Sequence, residues 1–321
     1  MKFIDLKLQQ SKIREKVDKR IKSVLDHGNY IMGPEILEFE ERLSSYVGTK
    51  YCVSCSSGTD ALLIPLMAYG IGPGDAVITT PFTYIATSEV ISLLGAEPIF
   101  VDIYNKTYNI NPDLIESAIE SAQDKNLNVK AIMPVDLFGL PARYRLMENL
   151  AKKHSLILIE DAAQGFGGQV KGKKAGSFGN VAATSFFPAK PLGCYGDGGA
   201  IFTNDDELFE KMKSIRVHGS GSDKYENIRL GINGRLDTIQ AAVLLEKLSI
   251  FDEELELRNK IANYYSNNIS SKLINRTTKV NNFVYTTKCW YFIVTTIVFI
   301  IQVWLICSYI HDIISMKIIM C

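Results

Sequence analysis

Lys190 lies in "SFFPAKPLGCYGDGGA", residues 185 to 200, between an apolar run and a cluster of glycines. Neither a helix face nor a strand face gives its amine an obvious solvated position there. A lone lysine beside Pro191 reads as a surface turn residue, so its neighbours must argue otherwise. Three other short apolar runs also end in residues able to do chemistry. After "LILIE" comes Asp161, which taken alone reads equally as a helix cap. After "TPFT" comes Tyr84, an aromatic that would also suit a core. After "YCVSC" the chain reads Ser56-Ser57-Gly58-Thr59-Asp60-Ala61-Leu62, a small turn opening a helix whose free N–H groups suit a phosphate; Ser or Thr there would also serve as a plain cap. Together they offer a phosphate cradle, a flat ring to stack on, an anion and an amine. Those are the needs of a cofactor with a phosphate, an aldehyde and an aromatic ring bearing a basic nitrogen. A buried carboxylate keeps such a nitrogen protonated. Desolvation helps a lysine become neutral enough to form a Schiff base. On this reading glycines 193, 196, 198 and 199 make a flexible, tightly turned loop that lets backbone approach the cofactor.

The elements that must position these groups follow from periodicity. Ile13, Val17, Ile21 and Leu25 recur every four residues and predict an amphipathic helix over 12–27, stopped by Gly28. A second helix begins at Pro34, with Ile36, Phe39 and Leu43 on one face. "AVIT" (76–79), "PIFV" (98–101), "AIMPV" (131–135), "LILIE" (156–160) and "VAATSFF" (181–187) are short, β-branched and almost uncharged, as strands buried on both faces are. Helical stretches at 85–94, 112–121 and 143–153 separate most of them. The alternation predicts an α/β fold with a mostly parallel sheet and helices on both sides. Ligands of such sheets bind beyond the strand carboxyl ends, where Asp161 and Lys190 fall.

At 321 residues the length suggests two domains, and 35 basic residues balance 35 acidic ones, which gives no electrostatic case for nucleic acid. Six scattered cysteines and a charged opening, "MKFIDLKLQQSKIREK", predict a reducing, cytoplasmic setting. Cys52 and Cys55 form a C-x-x-C without a second pair, and His218 has no histidine or cysteine at ligand spacing. No metal is expected.

The motifs "SSGTDAL", "GPGDAVITTPFTYIAT", "EDAAQGFG", "SFFPAKPLGCYGDGGAIFTNDDEL", "RVHG" and "GINGRLDTIQAAVL" resemble, in order and spacing, the DegT/DnrJ/EryC1/StrS family of pyridoxal-phosphate-dependent sugar aminotransferases. The resemblance covers residue 3 to about 283. It implies the aspartate-aminotransferase-like fold (fold type I), with a three-layer α/β/α large domain. It also implies Lys190 as the Schiff-base lysine and proton shuttle, Asp161 as partner of the pyridine nitrogen, and Gln164 against the ring hydroxyl. Tyr84 would stack on the ring. Gly58, Thr59 and Ser185 would hold the phosphate, and Asn233 would reach the phosphate of a neighbouring subunit, so that a homodimer shares its sites. Relatives that dehydrate their sugar carry histidine at the lysine position, so Lys190 implies transamination. "FIDLKLQQSKI", "HGNYIMGPEI" and "RLDTIQAAVLLEKLSIF" are most similar to members that aminate UDP-2-acetamido-2-deoxy-3-oxo-glucuronate with glutamate in O-antigen synthesis. A dTDP-keto-deoxysugar is the nearby alternative.

The expected division is a cofactor-binding large domain over 1–248, the start of a small domain over 249–283, and an aberrant apolar tail over 284–321. "YFIVTTIVFIIQVWLICSYI" (291–310) carries no charge and, as a helix, would span roughly 30 Å. It reads as a membrane anchor or as the product of a shifted reading frame after Phe283. The second reading takes away the rest of the small domain that closes over substrate. A catalytically impaired or membrane-tethered homologue with a binding role is the corresponding alternative function.

Overall fold

The structure is a computed structural model that describes residues 5–223 and 225–268. The expectations placed on 269–321, including the break after Phe283 and the candidate span 291–310, lie outside them. Among the described residues no helix is long and apolar enough to cross a membrane.

The strands are β1 (Tyr51–Cys55), β2 (Asp75–Thr79), β3 (Glu97–Phe100), β4 (Asn128–Ile132), β5 (Ile157–Asp161), a separate hairpin of β6 (Gln169–Val170) and β7 (Lys173–Lys174), then β8 (Val181–Ser185) and β9 (Gly199–Thr203). The main sheet runs β1-β9-β8-β5-β4-β2-β3. Strands β3, β2, β4, β5 and β8 pair in parallel, and β9 runs antiparallel to both β8 and β1. The helices are α1 (Leu6–His27), α2 (Pro34–Val47), α3 (Gly58–Ala68), α4 (Ala86–Leu93), α5 (Ile115–Asp124), α6 (Tyr144–His154), α7 (Asp206–Ile215), α8 (Thr238–Leu248) and α9 (Phe251–Asn268).

Strand side chains alternate between faces, which sorts the apolar residues into layers. Val77, Ile159, Ala183 and Ile201 pack with Ile64 and Leu66 of α3, Val90 of α4 and Met212 of α7. Their sequence neighbours turn the other way. Ile78, Ile132 and Leu158 meet Ile119 of α5 and Met147 of α6, while Ala182 and Phe202 meet Phe39 of α2, Leu244 of α8 and Phe251 of α9. The result is the three-layer α/β/α sandwich that the resemblance implies. Burial on both sheet faces explains why β5 and β8 read as continuous apolar runs.

Three details depart from the sequence expectation. Leu25 is 55 % exposed and Val24 is buried instead. At 100° per residue, twelve residues carry Leu25 about 120° away from Ile13, whereas eleven return Val24 to within about 20° of it. Among the described residues strand β3 is an edge strand, not one buried on both faces: it pairs with β2 alone, and Phe100 is 45 % exposed. Pro98, which has no N–H to donate, suits such an edge. The glycines after Lys190 are also not a freely turning loop. Gly199 begins β9, opposite both Cys55 and Ser185, and none of glycines 193, 196, 198 and 199 has a left-handed φ. What they permit is close packing of protein on protein: a Cβ at Gly199 would lie 2.3 Å from the Ser57 carbonyl oxygen, and one at Gly193 would lie 2.5 Å from that of Pro188.

Candidate active site

Strand β5 delivers Asp161 to the end of the sheet, and its pairing with β8 sets Asp161 opposite Ala183, two residues before Ser185. The Asp161 carboxylate is buried. Its Oδ1 accepts the Ala163 N–H at 3.1 Å and its Oδ2 accepts the Thr87 hydroxyl at 2.9 Å. Thr87 comes from the first turn of α4 and is itself 2.9 Å from the Thr83 hydroxyl. Because Thr87 spends its proton on Asp161, Thr83 is the donor in that pair. The relay Thr83 to Thr87 to Asp161 supports a negative carboxylate. Burial raises the Asp161 carboxyl above its ordinary range; the Ala163 N–H, the Thr87 hydroxyl and the charge of Lys190 oppose that rise.

Lys190 follows β8, with its N–H donating to the Phe187 carbonyl at 2.8 Å. Burial lowers the affinity of its amine for a proton, and Asp161 is the charge that acts against this. The two groups singled out from strand ends therefore feel each other across the mouth of the sheet. Two later helices brace the lysine loop. Gln240 of α8 accepts the Tyr195 N–H at 2.9 Å, and Arg258 of α9 donates to the Pro191 carbonyl at 3.3 Å.

At the start of α3, Ser57 caps the helix by accepting the Asp60 N–H at 3.0 Å, and Ser56 hydrogen-bonds to the Asp60 carboxylate. The Gly58 and Thr59 N–H groups have no hydrogen-bond partner among the described residues. Ser185 sits directly on this turn. A Cβ at Gly58 would fall 2.5 Å from Ser185 Cβ and 2.9 Å from its Oγ. Open N–H groups, a hydroxyl and a glycine that keeps the space clear form an anion cradle. Gly58 and Ser185, 127 positions apart in sequence, build it.

The remaining predicted residues are less engaged. Gln164 Oε1 accepts the Phe138 N–H at 3.1 Å. Tyr84 is 68 % exposed at the entry to α4. Asn233 is exposed, and its Oδ1 accepts Arg235 Nε at 2.9 Å and Nη2 at 2.6 Å. No hydrogen bond ties Tyr84 or Asn233 to Lys190 or Asp161 among the described residues. Thr87 is the site residue that sequence reasoning missed; it is one threonine among several in "TTPFTYIAT", and only the fold shows which hydroxyl reaches Asp161. Cys52, Cys55 and Cys194 are free and buried, and burial raises all three thiols, the behaviour of packed cysteines.

A buried carboxylate, an amine of lowered proton affinity and a cleared anion cradle fit pyridoxal phosphate. Comparison with known proteins agrees. Residues 11–298 match the DegT/DnrJ/EryC1/StrS aminotransferase family. The UDP-2-acetamido-2-deoxy-3-oxo-D-glucuronate aminotransferase of Pseudomonas aeruginosa is 54 % identical over 265 residues, which are 83 % of this chain and 72 % of that protein. Among solved structures, a DegT DnrJ EryC1 StrS aminotransferase from Brucella abortus superposes with a TM-score of 0.87 at 48 % identity, covering 89 % of this chain and 77 % of that one. S. venezuelae DesV in complex with a ketimine intermediate gives 0.82 at 38 %, covering 89 % and 75 %. The chain thus belongs to the DegT/DnrJ/EryC1/StrS aminotransferase family and is a pyridoxal-phosphate-dependent sugar aminotransferase.

Proposed function

We propose that the chain transfers an amino group from glutamate to the 3-keto group of UDP-2-acetamido-2-deoxy-3-oxo-glucuronate, for a surface polysaccharide such as O-antigen. Pyridoxal phosphate, when bound, supplies the aldehyde that carries the amino group and a ring that withdraws electrons from the reacting carbon. Asp161 would hold a negative charge against the ring nitrogen, and the Thr83–Thr87 relay keeps that carboxylate oriented. The α3 turn and Ser185 anchor the phosphate. Lys190, with its lowered proton affinity, takes a proton from the amino-acid Cα and returns one to the sugar carbon. Tyr84 would stack on the ring, and Gln164 would border the ring hydroxyl.

The observation that carries this reading is the electrostatic pairing of Lys190 with a buried Asp161 beside the Gly58–Ser185 cradle. The sugar rests on the 54 % identity to the Pseudomonas aeruginosa enzyme. A second copy of the chain completes the site in this reading, with Asn233 directed to its phosphate. Exposed Tyr225, Ile228 and Leu230 nearby supply apolar surface for that contact. Incubation with glutamate and the UDP-3-keto sugar acid, followed by mass spectrometry, tests the proposal. A 3-amino sugar with matching 2-oxoglutarate is expected. Amination of a dTDP-keto-deoxysugar in its place overturns the substrate, and amination of neither overturns the function.

A further inference from the structure

Directly behind Asp161 lie two more buried carboxyls that the reaction does not use. Asp136 follows β4, and its N–H donates to the Asp161 carbonyl at 2.9 Å. Glu160 precedes Asp161 on β5. Both side chains are fully buried, and they lie within hydrogen-bonding reach of each other. Neither meets a lysine, arginine or histidine among the described residues. Glu160 accepts the Gly176 N–H on Oε1 and the Phe178 N–H on Oε2, each at 2.7 Å. Asp136 Oδ1 accepts the Ala142 N–H at 3.0 Å and the Tyr144 hydroxyl at 2.7 Å, whereas its Oδ2 is buried with no donor facing it among the described residues.

Two carboxylates cannot both stay ionised in contact and out of water with no cation between them. The orphan oxygen shows how the conflict resolves. Both oxygens of Glu160 and Oδ1 of Asp136 are met by donors, which leaves Asp136 Oδ2 as the oxygen whose missing hydrogen bond a proton held between the two carboxyls supplies. Gly165 keeps that position tight, since a Cβ there would lie 2.7 Å from Oδ2. We propose that Asp136 and Glu160 form a carboxylic acid–carboxylate pair that holds one proton, and that this proton keeps a third negative charge away from Asp161. Asp136 and Glu160 are then positioning residues that act through the Asp161 carboxylate. The groups facing the pair are the Tyr144 hydroxyl from α6, Asp161 from β5, and Lys190 across Asp161. Burial raises the proton affinity of both members; Asp136 raises that of Glu160 further, whereas at Asp136 the hydrogen bonds with Glu160, Tyr144 and Ala142 oppose the rise and the charge on Asp161 adds to it. An ionised Asp161 and a proton on the pair therefore favour each other.

The pair itself rests only on the chain's own carboxyls; its service to a ring nitrogen rests on the cofactor reading above. Infrared spectroscopy of the cofactor-free chain keeps the two distinguishable. Near neutral pH the wild-type chain is expected to show the C=O stretch of one protonated carboxylic acid, recognised by its shift in heavy water. The band is expected to vanish in Asp136→Asn and in Glu160→Gln. Its absence from the wild-type chain, or its retention in either folded variant, overturns the pair. The link to Asp161 is read from the pH at which the wild-type band disappears. That midpoint is expected to fall in Asp161→Asn, where the charge favouring the proton is gone, and an unchanged or higher midpoint overturns the link.

Discussion

The Thr87 hydroxyl donates to Asp161 Oδ2 across 2.9 Å, joining the first turn of α4 to the end of β5. Both groups are buried, so the bond is formed away from competing water and favours the ionised carboxylate. Thr87→Val keeps the shape and removes the donor. A hydrogen bond to a charged group contributes about 1.5–3 kcal/mol. Loss of roughly tenfold or more in pyridoxal phosphate affinity is expected, measured by fluorescence titration, with Thr87→Ser retaining most of it.

The contact between Gly58 and Ser185 makes a reciprocal prediction. Gly58→Ala would place its Cβ 2.5 Å from Ser185 Cβ, and such overpacking costs about 1–3 kcal/mol. Ser185→Gly removes the struck atom. In denaturant titrations the double variant Gly58→Ala/Ser185→Gly is expected to be more stable than the sum of the two single losses allows, a coupling that independent sites would not show.

Lys247 on α8 is buried, and its ammonium has no hydrogen-bond partner among the described residues. It lies 4.7 Å from the Tyr195 ring centroid, and burial pushes its amine down to about 8, against partial support from Glu254. An amine whose proton affinity is lower in the folded chain costs stability while it is charged. Stability is recovered as pH rises, because the unfolded chain then holds the extra proton. Lys247→Met is expected to stabilise the chain by about 1–2 kcal/mol near pH 7, less the cation–π contact it gives up. The gap to wild type should shrink between pH 8 and 10.5. Thermal melts across that range check it; a gap that widens with pH would refute the sign.

Sequence pattern carried the sheet and its two main groups because both depend on local signals. Buried parallel strands read as short apolar runs, and the carboxyl ends of those runs point to Asp161 and Lys190. Contacts between distant segments left no such trace. Nothing local in "GAIFT" separates a strand from the glycine cluster before it, so the sequence groups Gly199 with that loop. Only its antiparallel pairing with β1 and β8, and the narrow space beneath Ser57, explain Gly199. Leu25 misled because a strict four-residue spacing drifts around a helix of 3.6 residues per turn. Thr87 and Asp136 were invisible for a different reason. A hydroxyl or carboxyl becomes part of a site through what it faces, and both face residues of β5 more than twenty positions away.

The central claim is that the Lys190 amine, set against Asp161, is the group that takes up pyridoxal phosphate. Borohydride reduction of the loaded chain, followed by peptide mapping, tests it most directly. The account predicts a single pyridoxyl mark on Lys190, absent from Lys190→Ala and unaffected by Lys247→Met. A mark on another lysine, or none on a folded chain saturated with pyridoxal phosphate, would contradict it.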